Sequence, residues 1–219
     1  MIVLDEKELR LEIATNITKH EKKRKKLEFE LSNEQTLVKC IQTLAEYNDI
    51  AVAINKLLNI IADFYQGERA YIFEIDYAKQ IISNTYEWCG EGVSNEIENL
   101  QKIPLKAVIH WLDEFKKKGE FYITSVGKNV KKGSLEYEIL TAQGIESLVV
   151  APLIENNEIV GFLGVDNPSS NINDLTLLKS VTFFVMDDIN KRQLLTKLEE
   201  MSFTDILTGL ANRKVLLKK

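Results

Sequence analysis

The sequence predicts an α/β protein of the α+β kind: an antiparallel sheet of about five to six strands packed with helices and set between long N- and C-terminal linker helices. Three observations carry this. Apolar residues recur with a period near 3.6 over 27–45, 50–64 and 175–201. The period drops to 2 in two pairs of β-rich runs, 69–76 with 80–88 and 147–154 with 159–166, each pair joined by a few turn residues as in an antiparallel hairpin. Hairpins at both ends of such a pattern, with helices between and after them, imply a sheet covered by helices and not a doubly wound fold.

Composition bounds the rest. The chain has 219 residues, 45% of them hydrophobic and 28% charged, which suits one or two globular domains. A domain of roughly 140 residues buries about two-thirds of its unfolded surface, enough for its own core. The net charge of -5 argues against nucleic acid as a partner. No run of 18 apolar residues exists, and the opening "MIVLDEKELRLEIATN" puts acids where a signal peptide needs bases, so a cytoplasmic chain without a membrane segment is expected. Two cysteines, Cys40 and Cys89, are too few and too far apart for a metal cluster or a disulfide framework.

The elements follow in order. Leu27, Leu31, Val38, Ile41 and Ala45 alternate three and four apart around Glu34, a narrow stripe that suits a helix with one partner face; Ser32 and Gln35 would form a capping box if the helix restarts there. The basic run 22–26 has acids beside it and no interleaved aromatics, and reads as a solvated helix face. A helix over 49–66 has Asp49 as N-cap, a core stripe at Ile50, Ile54, Leu57, Leu58, Ile61 and Phe64, and Gly67 as its stop. The first hairpin comes next, and then a polar, glycine-containing loop. A helix over 104–118 puts Leu105, Val108, Ile109, Leu112 and Phe115 on one face, and Gly119 ends it. A short strand at 120–126 and a short helix over 134–143, ended by Gly144, lead to the second hairpin, whose Asn156-Asn157 tolerates left-handed backbone. The last helix starts near Asn173 or Asp174 and meets no breaker before Ser202.

No catalytic constellation is visible: there is no Gly-rich phosphate loop, no helical pair of histidines, no G-x-S-x-G and no C-x-x-C. His20 lies in the charged helix, and His110 neighbours a core stripe. Cys40 has the helical spacing of a buried small hydrophobe, whereas Cys89 ends a strand beside Trp88 just before a loop. Aromatic residues gather in and around the central insertion. Packing on sheet and helices explains most of them, but Tyr86, Trp88, Cys89, His110, Trp111, Tyr122 and Tyr137 are the candidates for lining a small-molecule pocket between sheet and insertion.

Three stretches resemble signalling modules. The helix "DIAVAINKLLNIIADFYQGERAYIFEID", with "GEFYITSVGK", "LTAQGIESLVVAPLIENNEIVGFLGVDNP" and the helix that follows, resembles a GAF domain, a small sensory domain of phosphodiesterases, phytochromes and bacterial regulators. The resemblance covers residues 49–189. "DILTGLANR" is similar to the D-x-L-T-x-L-x-N-R opening of GGDEF domains, which in intact diguanylate cyclases condense two GTP into cyclic di-GMP. That assigns Asp205, Leu207, Thr208, Leu210, Asn212 and Arg213 to the truncated start of such a domain at 203–219, with its catalytic loop further downstream. Residues 1–18, "ELRLEIATNIT" in particular, resemble the last strand of a PAS domain, leaving 19–48 as a linker helix and 190–202 as a signalling helix.

The resemblance implies a non-catalytic sensory segment controlling a diguanylate cyclase through the geometry of a homodimer. The seam residues expected are Leu27, Leu31, Val38, Ile41, Val185, Ile189, Leu195 and Leu198. Two alternatives are a ligand-free dimerisation spacer and a thiol-dependent GAF-fold reductase. No ligand is named by the sequence. "DNPSSNINDLTLL" lacks the Lys-Phe-Asp-Glu series of cyclic-nucleotide-binding GAF domains, Cys89 is followed by Gly90 where bilin-binding domains commonly carry His, and no residue pair argues for haem. The resemblance therefore sets cyclic nucleotide, bilin and haem aside as expectations.

Overall fold

A computed structural model describes residues 6–203. Six strands form one antiparallel sheet: β1 (Arg69–Asp76), β2 (Ile81–Cys89), β3 (Ile103–Pro104), β4 (Phe121–Ile123), β5 (Leu148–Glu155) and β6 (Glu158–Asp166), in the order β3-β2-β1-β6-β5-β4. The helices are α1 (Glu6–Glu46), α2 (Ile50–Tyr65), α3 (Ile109–Lys118), α4 (Val126–Asn129), α5 (Leu135–Ala142) and α6 (Thr176–Phe203). Both hairpins form as expected, and Asn156 and Asn157 take φ of 48° and 68°, the paired left-handed residues of a tight two-residue turn.

Because side chains alternate across a strand, the sheet divides the molecule into two cores. On one face Ala70, Ile72, Val149, Ala151, Leu153, Leu163 and Val165 pack against α2, α6 and the end of α1. On the other, Tyr71, Phe73, Ile82, Leu148, Val150 and Phe162 pack under the insertion that carries α3, α4 and α5. The α2 stripe Ile54, Leu57, Leu58 and Ile61 is fully buried, and each such side chain stabilises the fold by about 1.5–3 kcal/mol. Asp49 caps α2, accepting from the Ala51 N–H at 2.8 Å. The left-handed cap is Gln66 (φ 49°), one residue before the expected Gly67. Gly67 is needed for another reason: a Cβ there would overlap Val165.

Four expectations are corrected. Residues 8–13 are helical and not a strand, and α1 runs on through Ser32, whose carbonyl accepts from Thr36 Oγ1 at 2.8 Å, so no capping box forms. No glycine or proline precedes Gly67, and an isolated strand would lack the neighbour its backbone requires, whereas a helix closes its own hydrogen bonds. The helix expected over 104–118 is broken. Pro104 joins the edge strand β3, where a missing N–H is tolerated, and a single 3₁₀ turn follows at Leu105–Ala107. Val108 (φ −122°, ψ 16°) restarts the helical count, which leaves Ile109 52% exposed and brings Trp111 onto the buried face. The last helix begins at Thr176, whose N–H donates to Asp174 Oδ1 at 2.8 Å.

Candidate functional site

The site is set by register. Arg69 lies opposite Cys89 on one side and Asp166 on the other, so all three share the face under the insertion. On β2 the pairing jumps from Ile72↔Tyr86 to Phe73↔Asn84, leaving Thr85 as the extra residue of a β-bulge. A bulge inverts which residues face which side. Ile82 and Asn84 point beneath the insertion before it, and Glu87 and Cys89 after it. Tyr86 and Trp88 are turned to the opposite face, where they pack on the core of α2 and α6. Their assignment to the pocket is therefore corrected.

Arg69, Asn84, Glu87 and Asp166 are the buried polar cluster that results. The Arg69 guanidinium reaches Asp166 Oδ2 from Nη1 at 3.3 Å and lies 3.6 Å from Glu87 Oε1 at Nε. It also donates from Nη1 to Gln143 Oε1 at 3.0 Å and from Nη2 to the Ser94 carbonyl at 2.9 Å. Glu87 is fully engaged: Oε1 accepts from Asn84 Nδ2 at 3.0 Å, and Oε2 from the backbone N–H groups of Glu96 and Ile97 at 2.7 and 3.1 Å. Glu87 and Arg69 thus pin the first part of the insertion to the sheet. Asp166 Oδ1, by contrast, has no hydrogen-bond partner.

Beside this cluster is a cavity of about 40 Å³ lined by Tyr71, Phe73, Trp111 and Phe162, by Leu100, Val108, Leu140 and Ile145, and at its polar end by Gln143 and Asp166. Burial pushes the Asp166 carboxyl up to about 7, although the Arg69 guanidinium beside it pulls the other way. Burial, and then the negative charge of Asp166, raises the Tyr71 hydroxyl well above its usual range. Cys89 Sγ sits 3.5 Å from the Ser94 carbonyl. Its thiol is raised by burial and by Glu87, against the pull of Arg69, so it is not held as a thiolate. Burial pushes Cys40 to about 12.

Of the other sequence candidates, Trp111 walls the cavity and donates from Nε1 to Glu136 Oε1 at 2.7 Å. His110 is half exposed, 3.4 Å from the same Glu136 oxygen and edge-on to Trp111 and Phe121. Tyr137 packs against the core beneath the insertion. Tyr122 is corrected: alternation along β4 turns it to the outer face, 53% exposed. Sequence reasoning missed Arg69, Glu87, Gln143 and Asp166. The available signal was three charged residues in strand positions, two of them at strand ends, which only the register brings together.

On the helical side, Leu27, Leu31 and Val38 of α1 and Leu195 and Leu198 of α6 are exposed, and Ile41 is half-buried. Val185 is 0% exposed, so it is not available as a seam residue, which corrects that expectation, and Ile189 is half-buried against the same core. Phe183, not anticipated, is 69% exposed. Asp205, Leu207, Thr208, Leu210, Asn212 and Arg213 lie outside the described residues. Among the described residues no helix is long and apolar enough to cross a membrane.

No protein-family model matches the chain. It is 30% identical over 124 residues to the methanogenesis regulatory histidine kinase FilI of Methanothrix harundinacea, a match that takes in 54% of this chain and 14% of the kinase. Among solved structures it is similar to the chromophore-binding domain of the bacteriophytochrome RpBphP3 from R. palustris (TM-score 0.61, 9% identity, 74% of this chain and 62% of that one). It is also similar to the phycocyanobilin-bound GAF domain of a cyanobacterial phytochrome (0.59, 16%, 74% and 96%) and to the GAF domain of an Acinetobacter phosphoenolpyruvate-protein phosphotransferase (0.56, 12%, 76% and 98%). The second of these corrects the expectation against a bilin: the fold is shared with a GAF domain that holds one. The chain has a GAF-like α+β fold, with one six-stranded antiparallel sheet between two helical layers.

Proposed function

We propose that this chain is a sensory or regulatory module of a cytoplasmic signalling protein, in which the state of the pocket under the insertion is passed to α6 and from there to an output domain. One observation carries the reading: pocket and helices share the same strands. Leu148 and Asp166 face the insertion while their neighbours Val149 and Val165 face the core of α2 and α6, so a change on one side of the sheet displaces packing on the other.

The module works as a homodimer through the exposed stripes of α1 and α6, and an occupant that favours one arrangement of the sandwich shifts the stance of α6. The motif at 205–213 favours a diguanylate cyclase as the output. The partial match to FilI favours a second reading, a histidine kinase output, which uses the same helical relay.

Sedimentation of the chain over a wide concentration range tests the relay. A reversible dimer is expected, and substituting Leu31→Glu together with Leu198→Glu should leave monomers. A wild-type chain that is monomeric at every concentration would remove the relay and leave a pocket without an output.

A further inference from the structure

Two features of the pocket are left over once the fold is accounted for. The first is Asp166, at 2% exposure, which lines the cavity with an oxygen, Oδ1, that has no partner at hydrogen-bond distance, the Tyr71 hydroxyl on the same wall being a neutral donor turned toward the carboxyl. Buried polar atoms are almost always partnered, so an orphaned carboxylate oxygen facing a cavity is a place for a donor from outside the chain. The charge count points the same way, because two carboxylates, Glu87 and Asp166, share one guanidinium. Glu87 has both oxygens occupied, which leaves Asp166 as the acceptor.

The second feature is the wall. Tyr71, Phe73, Trp111 and Phe162 line the same cavity, and aromatic faces attract cations while offering an apolar body its burial. Arg69 is unsuited to receiving an anion, because its Nη groups are committed to Asp166, Gln143 and the Ser94 carbonyl, and its Nε, which makes no hydrogen bond, already faces the Glu87 carboxylate at 3.6 Å. Nor is the donor set a metal cage: among the described residues no three His, Cys, Asp or Glu side chains are grouped to hold an ion. The cavity of about 40 Å³ takes a few non-hydrogen atoms, since a water needs about 10–15 Å³ by the same measure.

We propose that the pocket takes a small organic ammonium, with its N–H donors on Asp166 Oδ1 and its short apolar body against Trp111 and Phe162. The proposal rests on the reading of this pocket as the sensory site, and it adds the class of ligand.

The test uses three probes of near-equal shape at pH 8: isobutylammonium chloride, isobutanol and sodium isobutyrate. Each is titrated into the whole chain while the indole N–H resonance of Trp111 is followed, with Trp88→Phe identifying it. Saturable shifts are expected with isobutylammonium, at least tenfold tighter than with isobutanol, and none with isobutyrate. Asp166→Asn, which keeps the shape, should weaken the ammonium at least tenfold. Equal binding of ammonium and alcohol, preference for the carboxylate, no response to any probe, or full affinity in Asp166→Asn would each overturn the proposal. The comparison among probes uses the wild-type chain, so it stands even if the variant folds poorly. Self-association is measured separately, so failure here and failure of the relay are distinguishable.

Discussion

Arg192 of α6 caps the end of α1: its Nη2 donates to the carbonyls of Leu44 and Tyr47, each at 2.9 Å, and its Nη1 to that of Asn48. Carbonyls in the last turn of a helix have no partner within it, and a cation there also meets the negative end of the helix dipole. Nε is held by Asp188 Oδ2 at 2.6 Å, which fixes the fork. The helix that enters the module and the helix that leaves it are thus joined through one side chain.

Arg192→Ala should lower unfolding stability by about 1.5–3 kcal/mol, the range for hydrogen bonds to a charged donor. Arg192→Lys should restore less than half of that, because a single ammonium cannot span three carbonyls as a planar fork does. Chemical denaturation of the two variants checks it; a change below about 0.3 kcal/mol in the alanine variant would mean the joint carries no load.

Asp166 gives stability a pH dependence of unusual sign. Its carboxyl titrates near 7 in the folded chain because burial raises it, while the unfolded chain releases that proton near the ordinary aspartate value. Between those values the folded state holds more protons, so this group makes stability fall as pH rises from about 4 to about 7, by up to about 1.4 kcal/mol per pH unit, and level off above. Burial sets the shift; the Arg69 guanidinium and a hydrogen bond from Tyr71, both on β1, oppose it, and the Glu87 carboxylate on β2 adds to it. Asp76, Glu96 and Glu114 are lowered by their partners and act in the opposite sense, so the measurement is the difference between wild type and Asp166→Asn. The wild type should lose stability relative to the variant over that window, and a flat difference would place Asp166 in a wetter setting.

The sequence made the elements legible and the faces only partly so. Both hairpins, the Asp49 cap and the α2 stripe follow from spacing and cap chemistry that act within a few residues. What could not be read was any side choice that depends on one extra residue. The bulge at Thr85 sends Tyr86 and Trp88 away from the pocket's side of the sheet and turns Glu87 into the polar cluster beside it, and nothing in "SNTYEWC" marks where the pairing slips. The same holds at Val108, where a single non-helical residue exchanges Ile109 for Trp111 on the buried face. Arg69 and Asp166 are far apart in sequence, and only the β1–β6 pairing brings them together.

The thiols bear on the reductase alternative. Both Cys40 and Cys89 are raised by burial, and Cys89 also by Glu87. The reactive species is the thiolate, so alkylation by iodoacetamide at pH 7 should be slower at Cys89 than at a free thiol, with Cys40 unreactive until the chain unfolds. Mass spectrometry of the alkylated peptides over time checks both. Fast labelling of Cys89 at neutral pH would reopen a thiol chemistry at the strand end beside the polar cluster.

The helical side separates packing from association. Val185 is fully enclosed within the chain, whereas Leu195 and Leu198 stand exposed one turn apart along α6. Val185→Ala removes two buried methyl-sized groups at about 0.8 kcal/mol each, with a further contribution from the cavity left behind, so it should lower stability by about 1.5–3 kcal/mol without weakening self-association at concentrations where the chain is folded. Leu195→Glu with Leu198→Glu should do the reverse, leaving the denaturation midpoint of dilute chain within about 0.5 kcal/mol of wild type while raising the dimer dissociation constant at least tenfold. Denaturation and sedimentation on the same samples read both. If the double glutamate variant loses stability at concentrations where wild type is already monomeric, those leucines pack within the chain, and the seam has to be sought on α1 or at Phe183.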